Sequence, residues 1–296
     1  MLKVVTHSGT FHADDVFAFA ILRTSQNGAV ELTRTRDLAL MQSADVVFDV
    51  GGLYDRTAHR YDHHMRDKPL RPNGEPFSSA GLVWRDYGKA AVLALVPGVD
   101  DKTAERIVAM LDQGLIRDVD LMDNGEMTPV PGHFSTLVEA FNVTFAESGR
   151  EENAAFMAAV ELAAAVLARV VVQAHASALA ESTVAAAAAR ADDPRIIVLD
   201  VRIPWEDAVF DLGLSQALYV LRPAGDAWTC SAVPPERGSF GQRHSLPDAW
   251  GGIRDDDFAA LTGVSDATFC HPARFVCGAK SREGVIALAK IAADTP

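Results

Sequence analysis

The chain has 296 residues, 49% of them hydrophobic and 23% charged, with 40 acidic against 27 basic side chains and a formal net charge of −13. That is the balance of a globular protein long enough for two domains. It excludes a disordered chain and one that holds duplex nucleic acid by overall positive charge.

A local basic groove stays compatible with this charge, and bound divalent cations would offset part of it. Met1 to Val5 enters a strand pattern directly, without the charged and apolar regions of a cleavable leader. Glu161 and Arg169 interrupt the best apolar run short of the ~20 residues a membrane helix needs, so no membrane partner is expected. Cys230, Cys270 and Cys277 are odd in number and form no C-x-x-C pair. That spacing argues against a zinc ribbon or redox motif and predicts incidental, buried thiols in a reduced, cytoplasmic setting.

In chain order, Leu2 to Thr6 reads as a strand that runs into His7. Asp14 or Asp15 caps a helix in which Val16, Phe17, Ala20 and Ile21 share a face, with Asn27-Gly28 as its stop. Val30 to Thr35 is a second strand, Asp37 starts another helical stretch, and Ala44 to Val50 is a buried parallel strand. The β-α-β-α-β order predicts an open α/β sheet with its site at the carboxyl ends of the strands.

Arg66 to Phe77, with three prolines and Asn73-Gly74, is a loop. Ser78 or Ser79 then opens a helix that runs through Tyr87 and ends near Gly88. Asp100 to Asp120 has helical spacing and continues towards Asp123, where Asn124-Gly125 breaks it. Residues 151–190 form the longest helical stretch, rich in Ala and free of Pro and Gly, with Ser148 and Glu151 at capping-box spacing. Its nearly all-round apolarity predicts burial between two bodies. Beyond Pro194, Arg195 to Asp200, Ala217 to Leu221 and Trp228 to Val233 read as strands. Asp255 to Leu261 and Glu283 to Ala293 read as helices.

Four polar clusters sit at element ends: His7 to Asp15, Asp49-Val50-Gly51-Gly52, Tyr61-Asp62-His63-His64, and Asp118 to Gly125. Taken singly, a strand-end His is most simply a surface or capping group, and an Asp at a helix start is an N-cap. Together, imidazoles and carboxylates without thiolate suit manganese, iron, cobalt or zinc. Two such cations about 3.5–4 Å apart can clamp a phosphoryl group and activate water.

The series GTFHADD, DVGG, YDHH and DLMDNG, with SREG later, closely resembles the melanocyte-proliferating-gene family of DHH-type phosphoesterases across nearly the whole chain. The wider superfamily includes RecJ-like exonucleases and manganese pyrophosphatases. The resemblance implies His7, His12 and Asp49 around one metal. Around a second it implies Asp14, Asp49, His63 and Asp123, with Asp49 bridging. His64 would face the substrate phosphate and Asp62 would orient a histidine. The sequence departs from the superfamily's His-x3-Asp-x-Asp opening. His12 stands where the first Asp is usual, one residue further from His7, which bears on metal preference.

In the C-terminal part the resemblance implies phosphate or nucleotide recognition by the loop Gly278-Ala279-Lys280-Ser281-Arg282, with Gly278, Lys280 and Arg282 as the contacts. Arg243 and Arg254 are further candidates, against surface ion pairing. Cys277 stands where the family tends to place a second glycine.

The expected architecture is an α/β protein. Residues 1–150 make a DHH-type catalytic domain with a mostly parallel sheet, residues 151–193 a helical connection, and residues 194–296 a smaller α/β substrate domain. The expected cofactor is a pair of divalent ions, Mn²⁺ first, with Mg²⁺, Co²⁺ or Zn²⁺ as alternatives. The expected activity is hydrolysis of phosphodiesters in RNA or short single strands, 3′ to 5′. Polarity and RNA preference come from the resemblance alone. The rivals are a small-phosphoester hydrolase (a dinucleotide phosphatase or pyrophosphatase) and a metal-stabilised binding protein. A homo-oligomer stays open.

Overall fold

A computed structural model describes residues 1–296. The chain divides into two compact units, Met1–His175 and Ala176–Pro296. The boundary falls inside the long helix expected to be a separate connection.

The first unit opens as the sequence reads, with β1 (Leu2–Thr6), α1 (Ala13–Ser25), β2 (Val30–Arg34), α2 (Leu38–Ser43, capped by Asp37) and β3 (Val46–Phe48). Two short strands follow that the sequence does not announce, β4 (Tyr54–Asp55) and β5 (Arg60–Tyr61). The sheet order is β2-β1-β3-β5-β4. The β1–β2, β1–β3 and β3–β5 pairs are parallel, and only β4 runs antiparallel, against β5. Because β1, β3 and β5 are adjacent and parallel, their carboxyl ends reach one edge of the sheet. Their next residues are His7, Asp49 and Asp62.

Helices α3 (Ser79–Leu95), α4 (Asp101–Gln113), α5 (Leu115–Asp123) and α6 (Phe134–Glu139) complete the unit. Gly88 does not end α3. It is a packing glycine: a Cβ there would come within 2.7 Å of the Trp84 ring, so its lack of side chain lets a buried Trp lie along the helix. The helix expected to run unbroken from Asp100 instead breaks at Gly114, whose φ of −113° and ψ of −109° turn the chain between α4 and α5. Helix α1 is buried all round from Ala13 to Leu22, not on one face, because Ala18, Phe19 and Leu22 also enter the core.

Helix α7 (Glu152–Ala189) starts after Glu151, so Ser148 does not cap it. Ala155, Ala159, Ala163, Leu167 and Val171 recur every fourth residue and form its buried stripe in the first unit, beside Phe156 and Val160. The opposite face is open, with Val172 and Leu179 exposed, so the expected all-round burial does not hold. Alanine carries too little surface for its exposure to cost much. By length and composition α7 does pass as long and apolar enough to cross a bilayer. That corrects the expectation from Glu161 and Arg169, which leave between them and beyond them more apolar chain than a strict run suggests. The i, i+4 stripe shows what the helix does here: it lines a protein core.

The second unit holds β6 (Ile196–Val198), α8 (Glu206–Asp211), β7 (Tyr219–Ala224), β8 (Ala227–Ala232), α9 (Asp255–Thr262), β9 (Ala267–Cys270), β10 (Val276–Ala279) and α10 (Arg282–Asp294). Its sheet order is β6-β7-β8-β10-β9, with β6–β7 parallel and the rest antiparallel. Cys230, Cys277 and Cys270 face one another across β8, β10 and β9 as a buried row of free thiols. The Cys277–Cys230 hydrogen bond and burial hold Cys277 well above an ordinary thiol, and burial pushes Cys270 up to about 12. They are packing groups, not nucleophiles.

Candidate metal centre

The carboxyl edge of the first sheet gathers side chains from five segments. β1 delivers His7, β3 delivers Asp49, and β5 delivers Asp62, His63 and His64. The first turn of α1 presents Asp14 and Asp15, and the last residue of α5 is Asp123. His7, Asp14, Asp15, Asp49, Asp62 and His63 are all buried, whereas His64 is 63% exposed at its side chain.

Asp49 is the hub. His7 Nε2 lies 3.1 Å from its Oδ2, and His63 Nε2 lies 3.3 Å from its Oδ1. Ser79 Oγ also donates to Oδ1 at 3.2 Å. Its backbone is left-handed at φ 55°, a conformation that a non-glycine residue holds only against a cost of about 1–2 kcal/mol. Gly51 and Gly52 follow with positive φ, so the chain turns sharply there and Asp62 Oδ2 accepts from the Gly52 amide at 2.5 Å. Asp62 Oδ1 in turn accepts from His64 N and His64 Nδ1, each at 2.9 Å.

His63 Nε2 sits 3.2 Å from Asp123 Oδ2 and 3.7 Å from Asp14 Oδ2, close to three carboxylates yet in hydrogen-bond geometry with none. Both oxygens of Asp14 and Oδ2 of Asp15 are likewise buried without a hydrogen-bond partner. Buried carboxylate oxygens left in this state are costly unless something else satisfies them. Three groups have donor atoms within 4.8 Å of one another: His7–Asp15–Asp49, Asp49–His63–His64 and His12–Asp14–Asp123. All donors are oxygen or imidazole nitrogen. The donor set and the unsatisfied oxygens fit hard to borderline divalent cations.

The electrostatics agree. Burial, then the charges of Asp123, Asp49 and Asp15, drives the Asp14 pKa far up. Burial and Asp49 push Asp15 up to about 7. Asp49 itself goes down: burial opposes its charge, but the His63 and His7 imidazoles close to its two oxygens outweigh burial. On His64, the hydrogen bond to Asp62 raises the pKa. On Asp62, burial is outweighed by the bonds from His64, and the pKa falls. Four carboxylates crowded at one point repel one another until cations neutralise them.

Of the residues expected at a metal, Asp49 lies with His7 in one group and with His63 in another, and Asp14 lies with Asp123. His12 falls beside Asp14 and Asp123 instead of joining His7 and Asp49. The residue passed over is Asp15. Its Oδ1 caps α1 through the His12 amide at 2.9 Å, as its position in the first turn implies, while its Oδ2 points 3.3 Å from His7 Nε2. The doubled Asp was the available signal, since one carboxylate suffices for a cap. Asp62 and His64 lie on the wall of a cavity of about 650 Å³ that also takes in His7, His12 and Arg36.

The second unit treats its candidates differently. Gly278 is not in a loop but inside β10. A Cβ there would come within 2.7 Å of the Phe269 ring, so neighbouring β9 accounts for the glycine. The amino end of α10 already holds an anion of its own: Asp266 Oδ2 accepts from the Ser281 amide at 2.7 Å. Arg243 donates to the carbonyls of Leu214 and Ala217, which makes it a structural tie. Arg254 lies 6.0 Å from the Phe269 ring. Lys280 is exposed, and Arg282 lines a cavity of about 310 Å³ with Arg190, Lys290, Asp192 and Asp200.

Comparison with known proteins agrees along nearly the full length. The chain is 30% identical over 321 residues to a protein named MYG1 protein C694.04c of Schizosaccharomyces pombe, covering 100% of this chain and 98% of that one. It is 29% identical over 318 residues to a protein named MYG1 exonuclease of Homo sapiens, covering 97% and 85%. A manganese-bound RecJ structure from Thermus thermophilus aligns with 99% of this chain and 52% of its own, at 14% identity and a TM-score of 0.28. A superposition that loose does not define a shared fold. The family model for MYG1_exonuc, an uncharacterised protein family (UPF0160), matches residues 3–293, and the chain belongs to that family.

Proposed function

We propose that the protein is a divalent-metal-dependent phosphoesterase acting on nucleic acid, as a 3′-to-5′ exonuclease on RNA or short single strands. The observation that carries the phosphoester reading is Asp49, whose two oxygens each meet a different buried histidine beside the unsatisfied carboxylate oxygens of Asp14 and Asp15. Nucleic acid as substrate is supported by the exonuclease name of the human relative. Direction and RNA preference rest on motif resemblance.

His7, Asp15 and Asp49 would hold one cation. His63, Asp14, His12 and Asp123 would share the other with Asp49. When bound, such a pair stabilises charge on phosphoryl oxygens and lowers the pKa of water. His64 has its Nδ1–H fixed on Asp62, a bond that favours the protonated ring, and in that imidazolium form the opposite nitrogen, Nε2, can donate to a phosphate oxygen or to the leaving group. Asp62 holds the ring's orientation and, through Gly52, ties it to the turn after Asp49.

The test is metal analysis of the purified chain, followed by Mn²⁺-dependent hydrolysis of oligoribonucleotides labelled at either end. Stepwise loss from the 3′ end supports the proposal. Turnover confined to dinucleotides or pyrophosphate would move the substrate to small phosphoesters. Metal uptake without hydrolysis of either class would make the site a binding site only. Asp49→Asn should lose metal and hydrolysis while staying folded, because Asn also tolerates left-handed backbone.

A further inference from the structure

The loop between the two histidines of the first motif is one residue longer than the superfamily pattern, and it is held from outside. Arg34 Nη2 donates to the Gly9 carbonyl at 2.6 Å, where Gly9 has a φ of 94°. The guanidinium stacks 4.5 Å from the Phe156 ring on α7. Asn142, in the segment after α6, grips Phe11 from both sides. The Phe11 amide donates to Asn142 Oδ1 at 3.0 Å, and Asn142 Nδ2 donates to the Phe11 carbonyl at 2.8 Å. The Phe11 ring is buried edge-on against Phe156 at 5.4 Å. The next residue is His12.

Asn142 holds the peptide groups on both sides of the Phe11 Cα, taking the N–H of the Thr10–Phe11 peptide and giving to the C=O of the Phe11–His12 peptide. Phe11 shares a peptide bond with His12, and the His12 amide is fixed in turn by Asp15 Oδ1. The backbone that aims His12 at Asp14 and Asp123 is therefore set by Asn142, 130 residues away in sequence and itself outside the ring of candidate ligands. Nothing within the His7–His12 segment supplies this restraint, since Ser8, Gly9 and Thr10 add no hydrogen bond that orients Phe11.

We infer that Asn142 is a positioning residue for the metal centre: by clamping the Phe11 peptide it sets the aim of His12, and the affinity of the His12–Asp14–Asp123 group for a divalent cation depends on it. The inference rests on the metal reading proposed above. Hydrogen-bonded groups behind a ligand typically alter metal affinity by about 10- to 100-fold when removed.

The test uses the full chain and Mn²⁺ alone, with calorimetric titration for affinity and stoichiometry and thermal melting with and without the ion. Asn142→Ala should weaken one class of Mn²⁺ site by roughly tenfold or more and leave the other class near its wild-type affinity. Asn142→Asp keeps the acceptor for the Phe11 amide but loses the donor to its carbonyl. It should fold more readily and lie between wild type and Asn142→Ala in affinity. A lowered melting temperature in either folded variant with unchanged Mn²⁺ affinity would make Asn142 merely structural and overturn the inference. Wild-type chain that takes up no Mn²⁺ would overturn the metal reading first, and this inference with it.

Discussion

Gly81 is a glycine because of Asp120: a Cβ at position 81 would lie 2.1 Å from Asp120 Oδ2 and 2.7 Å from its Cγ. The carboxylate lies against the first turn of α3, where its Oδ1 accepts from the Ser78 amide at 3.0 Å, Ser78 Oγ at 2.7 Å and the Gly81 amide at 3.0 Å. Arg71 pairs with Oδ2 from the other side. This knot joins the start of α3, whose Ser79 touches Asp49, to α5, whose last residue is Asp123. Gly81→Ala should therefore destabilise the first unit by about 1–3 kcal/mol, the usual cost of forcing a group into a packed interior. It should also weaken Mn²⁺ binding, although position 81 meets no ligand. Calorimetric melting of the apo chain and an Mn²⁺ titration check both parts. A melting temperature equal to wild type would mean that α3 and α5 part freely.

Asp120 also gives a pH signature. Burial outweighs its hydrogen bonds and the Arg71 charge, and its pKa rises to about 6. A carboxyl with a raised folded-state pKa binds its proton more tightly folded than unfolded. The stability it contributes is complete below pH ~4 and is lost as the pH rises through about 6. Asp120→Asn does not titrate there. The unfolding free energy of wild type minus that of Asp120→Asn should fall between pH 4 and 7, by up to roughly 3 kcal/mol for a shift of about two units. A difference that grows with pH would show that Arg71 holds the carboxylate ionised against burial.

The two adjacent histidines should separate cleanly. His63 is 4% exposed among Asp14, Asp49 and Asp123, whereas His64 is 63% exposed and tied to Asp62. His63→Ala should release a cation and with it activity. His64→Ala should keep the bound metal and lower kcat by ~10² or more, the usual contribution of a general acid. Asp62→Asn should fall between, because Asn still accepts from the ring but no longer favours its protonated form by charge. Metal content measured beside kcat decides the matter, and equal metal loss from both alanine variants would make His64 a ligand too.

Much of this site can be read from sequence because parallel topology turns element order into proximity. The apolar runs of β1 and β3 mark two strands that release His7 and Asp49, and β5, parallel and next to β3, brings Asp62 to the same edge. The strand holding Tyr61 is only two residues long and too short for an alternating pattern to reveal it. Grouping of ligands is a different matter. Whether His12 meets His7 or Asp123 depends on the path of Ser8 to Phe11, and that path is set by Arg34 and Asn142 through contacts that no local spacing encodes. In the second unit, the glycine at 278 carries a real signal of close approach, but the approaching group is the Phe269 ring of the next strand. A sequence gives the closeness and not the partner.

A substrate contact in the second unit, if the substrate reaches it, falls to side chains and not to the helix amides. Ser281 caps α10 by accepting from the Gly284 amide at 3.0 Å, while Asp266 Oδ2 takes the Ser281 amide. A Cβ at Gly284 would meet Asp266 Oδ1 at 2.1 Å, so the carboxylate fills the space in front of the helix amides. A phosphate approaching this end would meet Asp266 before any backbone N–H. Arg282 has a different setting: 45% exposed, with Nε 3.5 Å from Asp200 Oδ1, on the wall of the cavity shared with Arg190 and Lys290. Its ion pair with an exposed carboxylate is weak and is readily exchanged for phosphate. If the substrate reaches this unit, Arg282→Ala should remove one charge-assisted bond of ~1.5–3 kcal/mol and raise KM by roughly ten- to a hundredfold, with kcat, metal content and melting temperature near wild type. Ser281→Ala should do the opposite, lowering the melting temperature through a lost cap of about 1 kcal/mol and leaving KM alone. An unchanged KM in folded Arg282→Ala on every hydrolysed substrate would take the cavity out of substrate binding.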